Sequence, residues 1–187
     1  MVRFPALEVI SKCNTEVMII CESPNLLIRN FEPTDLAALV EVFSDPEVMR
    51  YSTGTKNQAE VEKWMNRQPI EGPAMWAVVE NSSGEVIGYA GVIYHSKFEG
   101  GPEYEIGFRL AKRFWGHGYG FEAATLVRDW VFAKYDPSRV IAMVDPDNHH
   151  SIAVLTRMGG VHTSEYLAPE YDHADLVYSM NRPPRNW

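Results

Sequence analysis

Glu105-Ile-Gly-Phe-Arg-Leu110 reads as a strand, and within a few residues it runs into three glycines at alternate positions, Gly116, Gly118 and Gly120. These feed straight into a stretch that places Ala123, Ala124, Val127, Trp130 and Val131 on one helical face. No other segment limits the fold as tightly. Glycines let successive backbone N–H groups converge, and a helix start adds about half a positive charge, so a strand–glycine turn–helix unit is a cradle for an anion. Between Glu105 and Glu122 there is no acidic residue, while Arg109, Lys112 and Arg113 are all present. This cationic island lies in a chain of 187 residues whose 17 Lys+Arg and 25 Asp+Glu leave a net charge of −8, and a bound phosphate or pyrophosphate accounts for it. Glycine spacing by itself also fits a plain turn whose basic residues balance charge. A dinucleotide fingerprint fails, because Gly116-x-Gly118-x-x lands on Phe121. A P-loop fails as well, since Lys and Ser/Thr do not follow the last glycine.

Around this unit the coarse pattern is regular. Asn25 to Phe31 reads as a strand. Glu32-Pro33-Thr34-Asp35 opens a helix with Leu36, Leu39, Val40 and Phe43 at helical spacing, and Asn57-x-x-Glu60 has the capping-box form for a second helix to about Arg67. Trp76 to Val79 and Val86 to Tyr94 form a hairpin across Asn81-Ser82-Ser83-Gly84. After a turn over Lys97 to Pro102 come a strand to Leu110, a helix from Gly118 to Lys134, a strand from Val140 to Val144 and a helix from Ser151 to Met158. Two β-prone stretches, Val161–Ala168 and Asp175–Met180, follow. The expectation is one α/β (α+β) domain, a mixed and mainly antiparallel sheet with helices on both faces, spanning 25–182. Residues 1–24 read as an irregular N-terminal extension with short β-prone pieces such as Val17-Met18-Ile19-Ile20, and 183–187 as a tail.

Composition excludes several classes. With 45 % hydrophobic residues the chain is not disordered, and its length buries a core without disulfide or metal staples. Net charge −8 argues against nucleic acid as the main partner and suits a cationic or amine-bearing one. Cys13 and Cys21 read as free thiols in a reducing compartment. No apolar run nears the roughly 20 residues of a membrane span, and Met1 to Ser11 does not read as a secretory signal, so a cytoplasmic protein with no membrane partner is expected.

Two further signals carry chemistry. Val144-Asp-Pro-Asp-Asn148-His-His-Ser151 lies at a strand-to-helix junction, where the Asn148 side chain either caps the helix or, with the Ser151 hydroxyl, lies beside a ligand between two helix starts. Glu103 and Glu105, two apart on a strand, share one sheet face. His149 and His150 are adjacent rather than four apart and no partner cluster accompanies them, so no metal site is expected.

The blocks Leu27-Ile-Arg-Asn-Phe-Glu-Pro-Thr-Asp-Leu, Ser44-Asp-Pro-Glu-Val-Met-Arg-Tyr51, Trp76-Ala-Val-Val, Val86-Ile-Gly-Tyr-Ala-Gly, Glu105-Ile-Gly-Phe-Arg-Leu, Trp115-Gly-His-Gly-Tyr-Gly-Phe-Glu-Ala and Val144-Asp-Pro-Asp-Asn-x-x-Ser151 occur in one order. That series resembles the GNAT superfamily of acetyl-CoA-dependent N-acetyltransferases, and within it the branch of the Rim-type ribosomal-protein N-terminal acetyltransferases. The resemblance implies that the superfamily's pyrophosphate motif falls on Trp115, Gly116, His117, Gly118, Tyr119 and Gly120, with Trp115 where Gln or Arg is common. It implies that backbone groups of Phe108 and Leu110 pair with the pantetheine arm and that Asn148 touches the cosubstrate. Many members carry a tyrosine general acid where this chain has Leu155, so the acid here would be Ser151, a water, or Tyr166 or Tyr171 reaching in. Gly160 replaces a frequent aromatic residue, a packing matter.

The implied reaction is attack of a neutral amine on the thioester. At pH 7 a lysine-type amine is neutral in only about one molecule in 10³ and an N-terminal amine in about a tenth, so a general base helps the first more. Glu105 is the first choice and Glu103 the second, with the N–H near Leu110 facing the developing oxyanion. Residues 45–75 and 95–102, with Arg50, Tyr51, Trp64, His95 and Phe98, would line the acceptor side, and their types fit a small-molecule or peptide amine alike. A CoA-binding regulatory module without transfer is the alternative, and a homodimer is left open.

Overall fold

The computed structural model describes residues 9–11, 16–98, 100–168 and 172–184. They form a nine-stranded sheet in the order β1-β2-β3-β4-β5-β6-β7-β9-β8. The strands are β1 (Val9–Ser11), β2 (Glu16–Glu22), β3 (Leu26–Arg29), β4 (Met75–Glu80), β5 (Val86–Phe98), β6 (Gly101–Leu110), β7 (Arg139–Val144), β8 (Val161–Tyr166) and β9 (Asp175–Asn181). The helices are α1 (Leu36–Ser44), α2 (Gln58–Met65), α3 (Tyr119–Tyr135) and α4 (His149–Arg157). Among the described residues every pairing is antiparallel except β6 with β7.

Period-2 alternation sorts side chains into two cores. Leu26, Ile28, Trp76, Val78, Ile106 and Leu110 pack under α3 with Ala123, Ala124, Val127 and Val131. Met75 and Tyr89 turn the other way, onto Leu39, Val42 and Phe43 of α1 and Val61 and Met65 of α2. β4 is therefore covered on both faces, which is why Met75 to Val79 is an unbroken apolar run rather than an alternating one. The Asn57 side chain accepts from the Glu60 N–H while Glu60 accepts from the Asn57 N–H, the expected box at the start of α2. Where β3 leads into α1, Arg29 is held bidentate by buried Asp35 at 2.7 and 2.8 Å, and Asp35 also accepts from the Glu32 N–H.

Before residue 25 the β-prone piece Val17 to Ile20 lies within a full strand. Glu16–Glu22 is a strand paired with β3, and its Ile20 and Cys21 sit in the α3-side core. Cys21 is a buried free thiol, and burial pushes its pKa up to about 12, so it behaves as a small apolar side chain. Cys13 lies outside the described residues.

Candidate active site

Two strands part at the centre of the molecule. β6 and β7 run parallel and are paired at Glu105↔Ile141. The Ala111 N–H donates to the Ile87 carbonyl at 2.9 Å, which sets the parity of the β5–β6 ladder. By that parity Glu105, Gly107 and Arg109 exchange hydrogen bonds with β5, while Phe108 and Leu110 turn their N–H and C=O groups toward the β7 side. The Leu110 carbonyl accepts the Trp115 indole N–H at 2.9 Å, and by the same parity the Leu110 N–H faces the β7 side.

The glycine turn stands at the mouth of this gap. Gly116 and Gly118 have φ of +78° and +85°, conformations that side chains rarely adopt, and a Cβ built at either meets nothing within 4 Å. Gly118 is the N-cap of α3 and provides no side-chain cap, so the first-turn N–H groups of the helix are left without one. Gly120 is small for another reason, since a Cβ there would press on the Phe108 ring at 3.1 Å. The turn opens into a cleft of about 500 Å³. Phe108, Leu110, Trp115, Gly116, Gly118, Tyr119, Gly120, Asn148 and Ser151 all line it, which brings together most of the expected cosubstrate residues.

His117 is the exception among them. Its ring stacks on Tyr119 at 5.8 Å and its Nδ1 lies 2.9 Å from the Trp115 carbonyl, away from the cleft lining. The Tyr119 hydroxyl in turn bonds Glu80, which raises its pKa. At the second junction Asn148 does cap α4, accepting from the Ser151 N–H at 3.2 Å, and it still borders the cleft. The Tyr51 hydroxyl reaches across to the Asp147 carbonyl at 3.0 Å and ties the α1–α2 connection to this turn.

The cationic island divides. Lys112 pairs with Glu47, and Arg113 with Glu41 and Glu85, so for these two the charge-balancing account holds and the phosphate account does not. Arg109 donates to neutral groups, Met49 Sδ, Ser52 Oγ and the Tyr89 hydroxyl, and it lines the cleft. Arg50 and Arg157 line it too, the latter with its guanidinium 4.0 Å above the Phe121 ring. Arg157 was missed in the sequence. Ser151, Val154 and Arg157 share a helix face at intervals of three, but only the docking of α4 beside α3 turns that face to the cleft.

The two carboxylates part company as well. Glu103 is 6 % exposed and bonded by Arg139 through both Nε (2.9 Å) and Nη2. Glu103, the second choice as base, is thus engaged by an arginine. Glu105 is free of arginine and lies 2.6 Å from His95 Nε2, whose pKa is raised by that hydrogen bond. Neither carboxylate lines the cleft itself. Glu105 lies three residues from Phe108, roughly 10 Å along the same strand. Leu155 is buried in the core and has no hydroxyl to offer. Tyr166 packs on Phe98 at 5.3 Å rather than in the cleft, and Tyr171 lies outside the described residues. At Gly160 a Cβ would meet the Leu155 carbonyl at 2.8 Å, a packing constraint as expected. Among the described residues no His/Cys/Asp/Glu group has metal-binding geometry, and no helix is long and apolar enough to cross a membrane.

Known proteins share this architecture. The acetyltransferase (GNAT) domain description matches residues 25–161. Bacillus subtilis (strain 168) YkkB is 32 % identical over 137 residues, 71 % of this chain and 79 % of that protein. The N-acetyltransferase p20 of Bacillus licheniformis is 29 % identical over 155 residues, covering 80 % and 85 %. A GNAT-family acetyltransferase structure from Bacillus anthracis superposes with a TM-score of 0.75 at 25 % identity, covering 88 % of this chain and 98 % of that one. RimL, a ribosomal alpha-N-protein acetyltransferase, shares the fold with a TM-score of 0.77 at 18 % identity over 94 % and 100 % of the two chains. With its splayed strands, its glycine-capped helix and these likenesses, the chain belongs to the GNAT family and is an acetyltransferase.

Proposed function

We propose that the chain moves the acetyl group of acetyl-CoA onto a primary amine by direct attack, with Glu105 as general base acting through a water. The observation that carries this reading is the glycine turn, whose uncapped helix start opens into the cleft beside the outward-turned backbone of Phe108 and Leu110. These groups suit the cosubstrate's chemistry: N–H groups for a diphosphate, an unpaired strand edge for the amide-bearing arm, and Arg50 and Arg157 for further negative charge.

In the reaction the amine N–C bond forms as the C–S bond breaks. The amine proton passes to Glu105, and the leaving thiolate takes a proton from Ser151 or from a water. The Leu110 N–H offers a hydrogen bond to the oxyanion, a contribution often worth about 3 kcal/mol. RimL is named for a ribosomal protein acceptor, and a peptide N-terminus is one acceptor class for this chain, a small amine the other.

The test is release of CoA from acetyl-CoA across a panel of N-terminal peptides, polyamines and amino sugars. Turnover with one class, reduced about 10²–10⁴-fold in Glu105→Gln, is expected. Full activity in Glu105→Gln removes the base from this reading, and slow CoA release with every amine leaves binding without transfer.

A further inference from the structure

We propose that His95 is a positioning residue for this reaction, holding the Glu105 carboxylate and carrying its proton to solvent. The inference rests on Glu105 as the base. In the β5–β6 register His95 stands directly opposite Glu103, and Glu105 stands opposite Ile93. By register the acid opposite His95 is Glu103, yet the His95 Nε2 reaches diagonally to Glu105 at 2.6 Å. The reason is on the neighbouring strand, where Arg139 of β7 takes Glu103. One carboxylate of the pair is thereby sealed by an arginine, which cannot give up a proton, and the other is matched to an imidazole, which can.

The ring is held in place. Phe98 lies 5.8 Å from His95, and Tyr166 lies 5.3 Å behind Phe98. The His95 side chain is 29 % exposed and that of Glu105 is 15 % exposed, so the histidine is the wetter end of the pair. The charged groups facing the pair are Glu103 from β6, with Arg139 upon it, and Asp175 from β9, which acts electrostatically on Glu105.

The proton balance is simple. An N–H bond of the ammonium breaks and, through water, an O–H bond forms at Glu105. With neutral His95 protonated at Nδ1 and bare at Nε2, that O–H then breaks as an N–H forms at Nε2. The imidazolium holds the regenerated carboxylate through Nε2–H, gives up one ring proton to solvent, and returns to the Nδ1–H form by exchange with water before the next transfer. When His95 is already charged it can take no further proton from Glu105. Its bond to Glu105 favours the charged form, so this block extends above the ordinary histidine pKa of about 6.5.

The experiment is the pH profile of kcat/KM, expressed against free amine, for the wild type, His95→Gln and His95→Asn. The wild type is expected to show an acid limb above pH ~6.5. In both variants that limb moves to lower pH, kcat falls about tenfold as part of the base contribution, and KM for acetyl-CoA stays within about twofold, since His95 is not among the residues of the cleft. NMR titration of the His95 ring gives a readout apart from activity, and its midpoint should fall in Glu105→Gln. Variant profiles superimposable on the wild type, or a midpoint unmoved by Glu105→Gln, overturn the proposal. Full activity in Glu105→Gln overturns the reading of the base instead.

Discussion

Two strand-to-helix junctions stand side by side in this fold and solve the same problem in opposite ways. Both β6–α3 and β7–α4 leave first-turn N–H groups in need of acceptors. At α4, Asn148 satisfies one of them with its own side chain. At α3, Gly118 has no side chain to offer, and with Gly116 it holds a positive-φ backbone over open space. The Asn148 junction is closed on itself, while the glycine junction is left for something else to close. Of two helix starts lining one cleft, the one without a cap is the better receptor for a diphosphate.

The largest test of this contrast is Gly118→Glu, which places a carboxylate where the ligand's charge belongs. Acetyl-CoA affinity should fall more than about 100-fold, measured by calorimetry, a penalty in keeping with like charges at one helix start. Arg157→Ala comes next. It removes a cleft cation and its ring contact, so CoA affinity should drop about five- to tenfold, with a shallower dependence on salt. Asn148→Ala should cost about 1 kcal/mol of stability by denaturant melting while changing affinity little, since it removes a cap rather than a receptor. The smallest effect belongs to Lys112→Ala combined with Arg113→Ala. Both are exposed and already paired, so affinity should change less than about twofold and stability by about 0.5 kcal/mol at most. If the last pair weakened CoA more than Arg157→Ala did, the assignment of the cleft cations would be reversed.

The same contrast explains what could be read in the chain. Local chemistry was legible: the Asn57–Glu60 box, the strand over Trp76 to Val79 and the glycine turn all depend on residues a few positions apart. The fate of Lys112 and Arg113 was not, because their partners Glu41, Glu47 and Glu85 come from α1, its following turn and the residue just before β5. Glu103 and Glu105 are equivalent by alternation, and only Arg139, brought alongside by β7, tells them apart. For β2 only the β-prone piece Val17 to Ile20 was legible, not its place in the sheet. Glu16-Val-Met-Ile-Ile-Cys-Glu22 has weak alternation of its own, and its pairing with β3 passes through a register shift between Ile19 and Cys21.

The most direct measurement is the change in melting temperature on adding acetyl-CoA to the wild type, Gly118→Ala and Gly118→Glu. At about 100 times Kd a ligand stabilises by about 2.7 kcal/mol, which for a chain of this size is a shift of roughly 5–10 °C. The wild type should show that shift, Gly118→Ala should start from a lower temperature and keep most of it, and Gly118→Glu should show none. A wild type unmoved by saturating acetyl-CoA, or a Gly118→Glu protein shifted as far as the wild type, would contradict a diphosphate held at the glycine junction.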